Sequence, residues 1–371
     1  MNKEFSAVNK QSTSVLNICE TITGGVASYL VVVHSATSET AKHHCVLPDS
    51  HAKQLPADID VSLFKDPGRG LLRMWRLFRL SLSVLRREKP DILFFHSSYT
   101  LPVMLMLRLL RVKGRFIYCA HGWAALRYPD GSLKRRVVRW IEGFLGGFSD
   151  VVINISRFDR DYASLAGYSG DQRLIVNAVA DIENDSMPAP FSPDQETINL
   201  LFIGRFDLQK GLDILLRAYI QAHLQRSDIH LHVVGDSVRG DAELSELMGK
   251  ARGVTFHGWA KPAEVQGFCE AADLLIVPSR WEGFGLVVAE SLRAGTPALV
   301  SDRGALPGLI EIDQTGYVEK LSVNDFAAAL CSLEKHKLVG MRPACRASFE
   351  SDFHADRFGN DLGDLFKELA G

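Results

Sequence analysis

Two doubly wound α/β domains in tandem are the fold class that the sequence predicts, and three observations predict it. Short apolar runs of strand length alternate with amphipathic stretches of helix length along most of the chain. The alternation breaks once, over 181–197, where Asp, Glu, Asn and Ser mix with prolines at 188, 190 and 193. That composition reads as an interdomain linker. At 371 residues the chain is also long enough for two domains of ordinary size.

Residues 1–14 are polar and lack the apolar core of a signal peptide, so they read as a disordered tail. The first domain, 15–180, then alternates. Val15–Cys19 is a strand, and Gly24-Gly25 opens a helix through His34. His44–Pro48 and Asp60–Phe64 are strands, Leu71–Arg87 a long helix, Asp91–His96 a strand and Leu101–Arg111 a helix. Arg115–Ala120 is a strand ending at His121-Gly122, followed by a helix over Leu133–Phe148. Asp150–Ile155, Arg157–Leu165 and Arg173–Val176 continue as strand, helix and strand. The second domain, 198–350, repeats the pattern. Its strands fall at Asn199–Ile203, His230–Val234, Val254–His257, Asp273–Val277 and Thr296–Val300. Its helices fall at Gly211–Gln225, Ala242–Lys250, Pro262–Ala271, Leu286–Ala294 and Val323–Leu333. A last helix, Phe353–Leu369, closes the chain within 351–371. Strands alternating with helices imply parallel sheets, whose ligands sit beyond the carboxyl ends of the strands.

Composition narrows the class. With 46% hydrophobic and 23% charged residues the chain is that of a globular protein, and no apolar run reaches membrane-spanning length. Six scattered cysteines (19, 45, 119, 269, 331 and 345) show no metal-binding spacing and several lie in apolar runs. Free thiols in a reducing, cytoplasmic compartment are the expectation. The net charge of −2 is uneven. Residues 1–190 hold 24 Lys and Arg against 18 Asp and Glu, leaving 18 against 26 for the remainder of the 42 and 44 in the chain. Two basic segments account for the excess: 65–89 has eight cations against two acids, and 108–139 nine against one. The first mixes its cations with Trp75, Phe78 and leucines, a composition suited to an anionic membrane surface and equally to a core-facing helix with a basic outer face. Nucleic-acid binding is not expected of a slightly acidic chain.

The chemistry concentrates in 278–297, Pro-Ser-Arg-Trp-Glu-Gly-Phe-Gly-Leu-Val-Val-Ala-Glu-Ser-Leu-Arg-Ala-Gly-Thr-Pro. A buried strand leads into a loop with Gly283 and Gly285, and then into a helix stopped by Gly295 and Pro297. Glu282 lies in the loop; Glu290 lies a turn into the helix, its side chain leaning back over the loop. The N–H groups of Phe284, Gly285 and Leu286 are free at the helix start and favour phosphate. Paired glutamates at helical spacing are ordinarily solvated charges, but Trp281, Phe284 and two glycines are poor choices for a plain surface turn. Amide donors for phosphate and two carboxylates for hydroxyls suit a nucleotide-sugar.

A second motif, Gly204-Arg-Phe-Asp-Leu-Gln-Lys-Gly211, puts Arg205 and Lys210 between a strand and a helix N-terminus, where both face an anion. Gly24-Gly25 follows the first strand without the GxGxxG spacing of a dinucleotide fold, which counts against a nicotinamide or flavin enzyme. The Asp-x-Asp pairs at 58/60 and 159/161 fall at a strand start and inside a helix, where i and i+2 do not share a face. No metal or cofactor is expected.

The Glu-Gly-Phe-Gly-Leu run, with a second Glu eight residues after the first, closely resembles the nucleotide-sugar loop of retaining GT-B glycosyltransferases. That family includes glycogen synthases, sucrose synthases and bacterial polysaccharide mannosyl-, glucosyl- and galactosyltransferases. The resemblance implies two Rossmann-like domains facing across a cleft, with the last helix crossing back to the first. It implies that Arg205 and Lys210 neutralise the departing diphosphate, that His121 contacts the transferred sugar, and that Gly24-Gly25 lets the backbone approach donor phosphate and acceptor. Glu282 would hold sugar hydroxyls and Glu290 the ribose. Asn154 and Ser156, at a strand terminus, would face the same cleft. Trp259 would lie near the base or cap the core. Asn177-Ala178 departs from the family's Asn-Gly, which puts a close ligand approach there in doubt. The implied reaction moves a sugar from a nucleoside diphosphate sugar to a glycan, lipid-linked and part of a bacterial surface polysaccharide (O-antigen, capsule or exopolysaccharide). The competing readings are a glycoside hydrolase using Glu282 and Glu290, which leaves Arg205 and Lys210 unexplained, a non-catalytic nucleotide-sugar sensor, and an epimerase.

Overall fold

In the computed structural model both halves form the parallel sheet that their alternation predicts. It describes residues 12–22, 24–66, 68, 70–182, 187–192, 196–237 and 242–371. Most of the expected tail and parts of the expected linker (183–186 and 193–195) lie outside the described residues.

The first half runs β1 (Thr13–Cys19), α1 (Gly25–Thr37), β2 (Ala41–Pro48), β3 (Asp60–Phe64), α2 (Leu71–Glu88), β4 (Ile92–His96), α3 (Leu101–Leu109) and β5 (Arg115–Cys119). It continues with α4 (Leu133–Gly146), β6 (Val151–Asn154), α5 (Arg157–Ala166) and β7 (Asp171–Leu174). The first strand thus begins at Thr13, two residues before the expected start. The sheet order is β3-β2-β1-β4-β5-β6-β7, with parallel pairing throughout. The central strand β4, Ile-Leu-Phe-Phe-His, is buried at every residue, as a continuous apolar run covered on both faces must be. Helix α2 ends where Lys89 turns left-handed and Pro90 forbids another helical turn. Its Leu77, Val84 and Leu85 join the core, which settles that this helix packs on the sheet.

The second half runs β8 (Ile198–Ile203), α6 (Leu212–His223), β9 (Ile229–Val234), α7 (Ala242–Lys250), β10 (Val254–Gly258), α8 (Pro262–Ala271) and β11 (Leu274–Val277). It continues with α9 (Leu286–Arg293), β12 (Ala298–Ser301), β13 (Gly316–Glu319), α10 (Val323–Ser332), α11 (Lys335–Ser348) and α12 (Ala355–Ala370). Its order is β10-β9-β8-β11-β12-β13, again all parallel. Two elements escaped the sequence reading. β13 is four residues long with only half-buried side chains beyond Gly316, and α11 carries Gly340 and Pro343 in its interior, both helix breakers.

Each sheet reverses its strand order once, between β1 and β4 and between β8 and β11. Crevices form at such reversals, where adjacent crossovers leave on opposite faces. The expected cations follow β8 and the expected glutamates follow β11, so both motifs flank one reversal.

The last helix does cross back. Phe358 meets Tyr29 of α1 edge-on at 5.4 Å between ring centroids, and Phe366 meets Phe94 of β4 at 6.4 Å. Gly359 is needed there, because a Cβ would stand 2.6 Å from the carbonyl oxygen of Ala36. Arg357 donates to the carbonyl of Val176 at 2.5 Å, and Val179 bridges to His354. The described part of 181–197 is not a free spacer: Phe191 stacks on His232 of β9 at 3.5 Å.

Phe358→Ala removes a fully buried ring that joins α12 to α1 of the first half. Its expected cost is about 3–5 kcal/mol, read as a lowered urea midpoint; a loss within 1 kcal/mol of zero would show that α12 contributes little there.

Candidate active site

Four loops at strand carboxyl ends converge, and the local chemistry of each explains its shape. After β8, the segment Arg205–Gly211 turns on itself, with the Lys210 amide donating to the Asp207 carboxylate at 3.1 Å. Gly211, at φ +71°, starts α6; a Cβ there would lie 2.1 Å from the carbonyl oxygen of Pro278, so only glycine fits. This loop is laced to the one after β11. Gln209 donates through Nε2 to the carbonyl of Trp281 at 3.0 Å and accepts from the Arg280 amide at 2.7 Å, while Arg280 forks onto Asp213.

Within that frame Lys210 Nζ stands 2.6 Å from Glu282 Oε1, which also accepts from the buried Ser279 hydroxyl at 3.0 Å. Glu282 is 9% exposed, so this pair operates largely out of water, where a charge-assisted hydrogen bond is strong. Arg205 lies further out, its guanidinium paired with Asp207 at 2.9 Å. Gly285 adopts φ +105° and begins α9. Among the described residues, the amides of Phe284, Gly285 and Leu286 have no backbone acceptor. Glu290, a turn into α9, is half-buried, and its carboxyl is pushed above the usual carboxylate range by burial; Arg293 and Lys210 oppose that shift. Lys210 therefore acts electrostatically on both glutamates.

The first half closes the site. The backbone of His121-Gly122, after β5, touches the backbone of Gly283: a Cβ on Gly283 would stand 2.7 Å from the Gly122 Cα. Gly25, at the start of α1, faces Leu286 so closely that its own Cβ would lie 3.2 Å from that side chain. His121, Gly25, Glu282, Lys210 and the amides at 284–286 thus belong to one locus, although they are far apart in sequence.

The 121–125 loop is held from behind. Glu142, the single acid of α4, accepts from the amides of Ala124 at 2.8 Å and Ala125 at 2.9 Å and from Ser98 at 2.5 Å. Trp123 donates to the Asp159 carbonyl at 2.9 Å. His121 takes φ +54° and is pushed down to a pKa of about 3 by burial, so it is neutral at physiological pH. Its Nε2 meets His96 Nδ1 at 2.9 Å, and Tyr29 packs edge-on against its ring at 4.6 Å.

The weaker candidates have other tasks. The Asn154 amide donates to Gln172 of β7 at 2.9 Å, and the Ser156 hydroxyl caps α5 by accepting from the Asp159 amide. The Ser156 side chain needs no ligand to explain it, whereas the Asn154 Oδ1 is buried with no partner among the described residues. Trp259 is 62% exposed and therefore does not cap the core. Asn177 accepts from the Ala178 amide, a closed local turn. Asp58 pairs with His34 at the surface and Asp159 is buried away from Asp161, so neither Asp-x-Asp forms a chelate. Among the described residues no group of three His, Cys, Asp or Glu is placed to hold a metal ion.

Sequence reasoning missed Tyr29, His96, Glu142, Asp207 and Ser279. Two signals were present: Glu142 is a lone acid in a basic amphipathic helix, and His96 ends an apolar strand that neighbours the one before His121.

Both halves match known family models. Residues 23–181 match the family model described as Glycosyltransferase Family 4, and residues 197–336 match the one described as Glycosyl transferases group 1. An uncharacterized 41.2 kDa protein in the cps region of Klebsiella pneumoniae is 28% identical over 366 residues, covering 95% of this chain and 99% of that one. Sucrose-phosphate synthase from Thermosynechococcus elongatus superposes with a TM-score of 0.81 at 18% identity, over 97% of this chain and 99% of that one. The Anabaena protein HepE, solved in complex with UDP-glucose, superposes with a TM-score of 0.78 at 18% identity, over 96% and 99%.

The buried histidines predict an acid-sensitive fold. Burial lowers His43 to about 4 and His96 well below its ordinary value of 6.5. The unfolded chain therefore takes up protons that the folded one refuses as pH falls below about 6.5. Stability is expected to be full above that pH and to fall towards pH 4, by about 1.4 kcal/mol per pH unit for each histidine. Urea midpoints at pH 7 and pH 5 measure it; equal midpoints would contradict the neutral assignment.

Proposed function

The chain belongs to the group 1, family 4 glycosyltransferases of GT-B fold, and from that premise we propose that it transfers a sugar from a nucleoside diphosphate sugar to a glycan acceptor with retention at the anomeric carbon. The observation that carries the reading is the convergence of Lys210, Arg205 and the 284–286 amides beside Glu282 and Glu290, with His121 across the interface. The amides and both cations hold the diphosphate. As the bond from the anomeric carbon to the phosphate oxygen breaks, negative charge grows on that oxygen, and Arg205 and Lys210 stabilise it in place, with no metal required. The acceptor hydroxyl attacks from the face that the phosphate leaves, and the departing phosphate oxygen takes its proton. Glu282 positions the reacting sugar, Glu290 takes the ribose hydroxyls and His121 orients the sugar. Gly24 and Gly25 leave room for the donor phosphate and the acceptor.

The complex of HepE with UDP-glucose supports a nucleotide-sugar donor for this fold, and the Klebsiella relative's place in a cps region supports a bacterial surface polysaccharide as product. The acceptor in this reading is lipid-linked and reached from the inner face of the cytoplasmic membrane. No described helix is long and apolar enough to cross a membrane. Helix α4, however, exposes Leu133, Val137, Trp140, Ile141 and Phe144, with Lys134, Arg135, Arg136 and Arg139 interspersed. Trp140 and Phe144 stack at 5.5 Å on that open face. An apolar stripe set among cations fits an anionic lipid surface. In the other basic segment, 65–89, Arg73 turns inward onto Glu20 and Asp66, while Leu71, Leu72 and Trp75 stay exposed.

A thermal-shift screen with UDP, GDP, ADP and their sugars tests the donor site. One nucleotide is expected to stabilise the wild type, and Arg205→Ala or Lys210→Ala to weaken its binding by about tenfold to a hundredfold, the worth of a charge-assisted hydrogen bond. If no nucleotide stabilises the wild type, the transferase reading fails. Flotation with phosphatidylglycerol-containing vesicles tests the surface. Binding at low salt is expected, and its loss in the Trp140→Glu, Phe144→Glu double variant; binding unchanged in that variant would remove α4 from the membrane contact.

A further inference from the structure

Behind His121 a line of hydrogen bonds crosses the first sheet on the face covered by α1 and α12. His121 Nε2 meets His96 Nδ1 at 2.9 Å, and His96 Nε2 meets Asn17 Oδ1 at 3.1 Å. Asn17 Nδ2 meets His43 Nδ1 at 3.3 Å, and His43 Nε2 meets Thr37 Oγ1 at 2.7 Å. The Thr37 hydroxyl donates to the Val33 carbonyl at 2.6 Å. Asn17, Thr37 and His96 are each no more than 1% exposed and His43 6%, so the direction of every bond is constrained by its partners rather than by water.

The far end fixes that direction. A carbonyl oxygen can only accept, so the single hydroxyl proton of Thr37 is committed to Val33. Thr37 Oγ1 must then accept from His43 Nε2–H, which leaves His43 Nδ1 bare to accept from the Asn17 amide. The Asn17 oxygen accepts from His96 Nε2–H, His96 Nδ1 is bare, and it accepts from His121 Nε2–H. Each ring is neutral, each donates through Nε2, and every hydrogen bond along the line pairs one donor with one acceptor. Among the described residues, His121 Nδ1 is the one ring nitrogen of the line with no protein partner. Ring contacts hold the geometry as well: Tyr29 packs on His121, and Phe358 of the crossing helix packs on Tyr29.

We propose that Thr37, His43, Asn17 and His96 are positioning residues that lock His121 as its neutral Nε2–H tautomer, so that it meets a ligand only as a hydrogen-bond acceptor through Nδ1. Resting on the transferase reading, this selects a hydroxyl on the bound sugar over a carboxylate or phosphate oxygen, which has no proton to offer that lone pair. A similar series in the second half, Asn199–His232–His257 at 3.3 and 3.0 Å, differs at its end: among the described residues Asn199 Nδ2 has no partner, and no backbone carbonyl there sets its direction.

The test is a long-range proton–nitrogen correlation spectrum of the full chain, labelled with 15N-histidine, at pH 7, with His121→Gln and His43→Gln identifying their signals. His121 and His43 are expected to show a protonated Nε2 and a bare Nδ1. An Nδ1–H or doubly protonated His121 in the wild-type spectrum would overturn the proposal outright. Thr37→Val removes the anchor and is expected to bring the Nδ1–H form of His43 into exchange, whereas Thr37→Ser restores the wild-type pattern. Unchanged His43 and His121 signals in a folded Thr37→Val protein would show that the anchor does not set the order. None of these signals depends on a donor, so a failed nucleotide screen sinks the transferase reading and leaves this one standing.

Discussion

Two backbones meet at the centre of this molecule with no side chain between them. Gly122 arrives from the first sheet and Gly283 from the second, and a single Cβ on Gly283 would overlap the opposing Cα. The two halves can approach only because neither position carries a side chain. That approach brings a neutral histidine from one sheet to a lysine–glutamate pair from the other. It also explains why so much of the surrounding structure serves the loops. Glu142 and Trp123 brace one side, while Gln209, Arg280 and Asp213 brace the other. A loop held at several backbone atoms keeps its reactive groups within the small tolerance that catalysis needs.

The charges within the locus are arranged by solvation as much as by sign. Lys210 sits against Glu282 and within electrostatic reach of Glu290, whose carboxyl burial pushes above its usual range while Arg293 and Lys210 oppose that shift. One cation thus supports two carboxylates in a site partly shielded from water. Truncating one partner of a buried charge pair is costly because the survivor remains unsolvated. An anionic ligand entering at the 284–286 amides would compete for the same ammonium group. The locus is therefore electrostatically coupled, and substitutions at 210, 282 and 290 are not expected to act additively.

The fold was legible because parallel strands buried on both faces leave continuous apolar runs, as at Ile92–His96, and because Gly and Pro punctuate helix ends, as at Gly295 and Pro297. The local motifs at 204–211 and 278–297 were legible for the same reason: each is a strand, a turn and a helix read within twenty residues. Partnerships across the sheet were not. Nothing in the sequence joins Thr37 to His121, because the link runs through three strands, β2, β1 and β4, whose neighbours are set by topology. Helix α11 was invisible because Pro343 and Gly340 argue locally against a helix that tertiary packing of Leu338, Met341 and Cys345 enforces. The segment 181–197 read as a spacer from composition, whereas Phe191 has a specific seat on His232.

The crossing helix sets an order of events during synthesis. Tyr29 of α1 and Phe94 of β4 belong to the first half, yet the rings that cover them, Phe358 and Phe366, are made only after the second half. At about 5–20 residues per second, the roughly 180 residues that follow the first sheet take on the order of 10–40 s to appear. For that interval one apolar face of the first half waits uncovered, and with it the packing that steadies His121. The N-terminal half therefore receives this part of its cover only after the second half has been made. Helix α12 thereby couples completion of the first half's packing to synthesis of the second half.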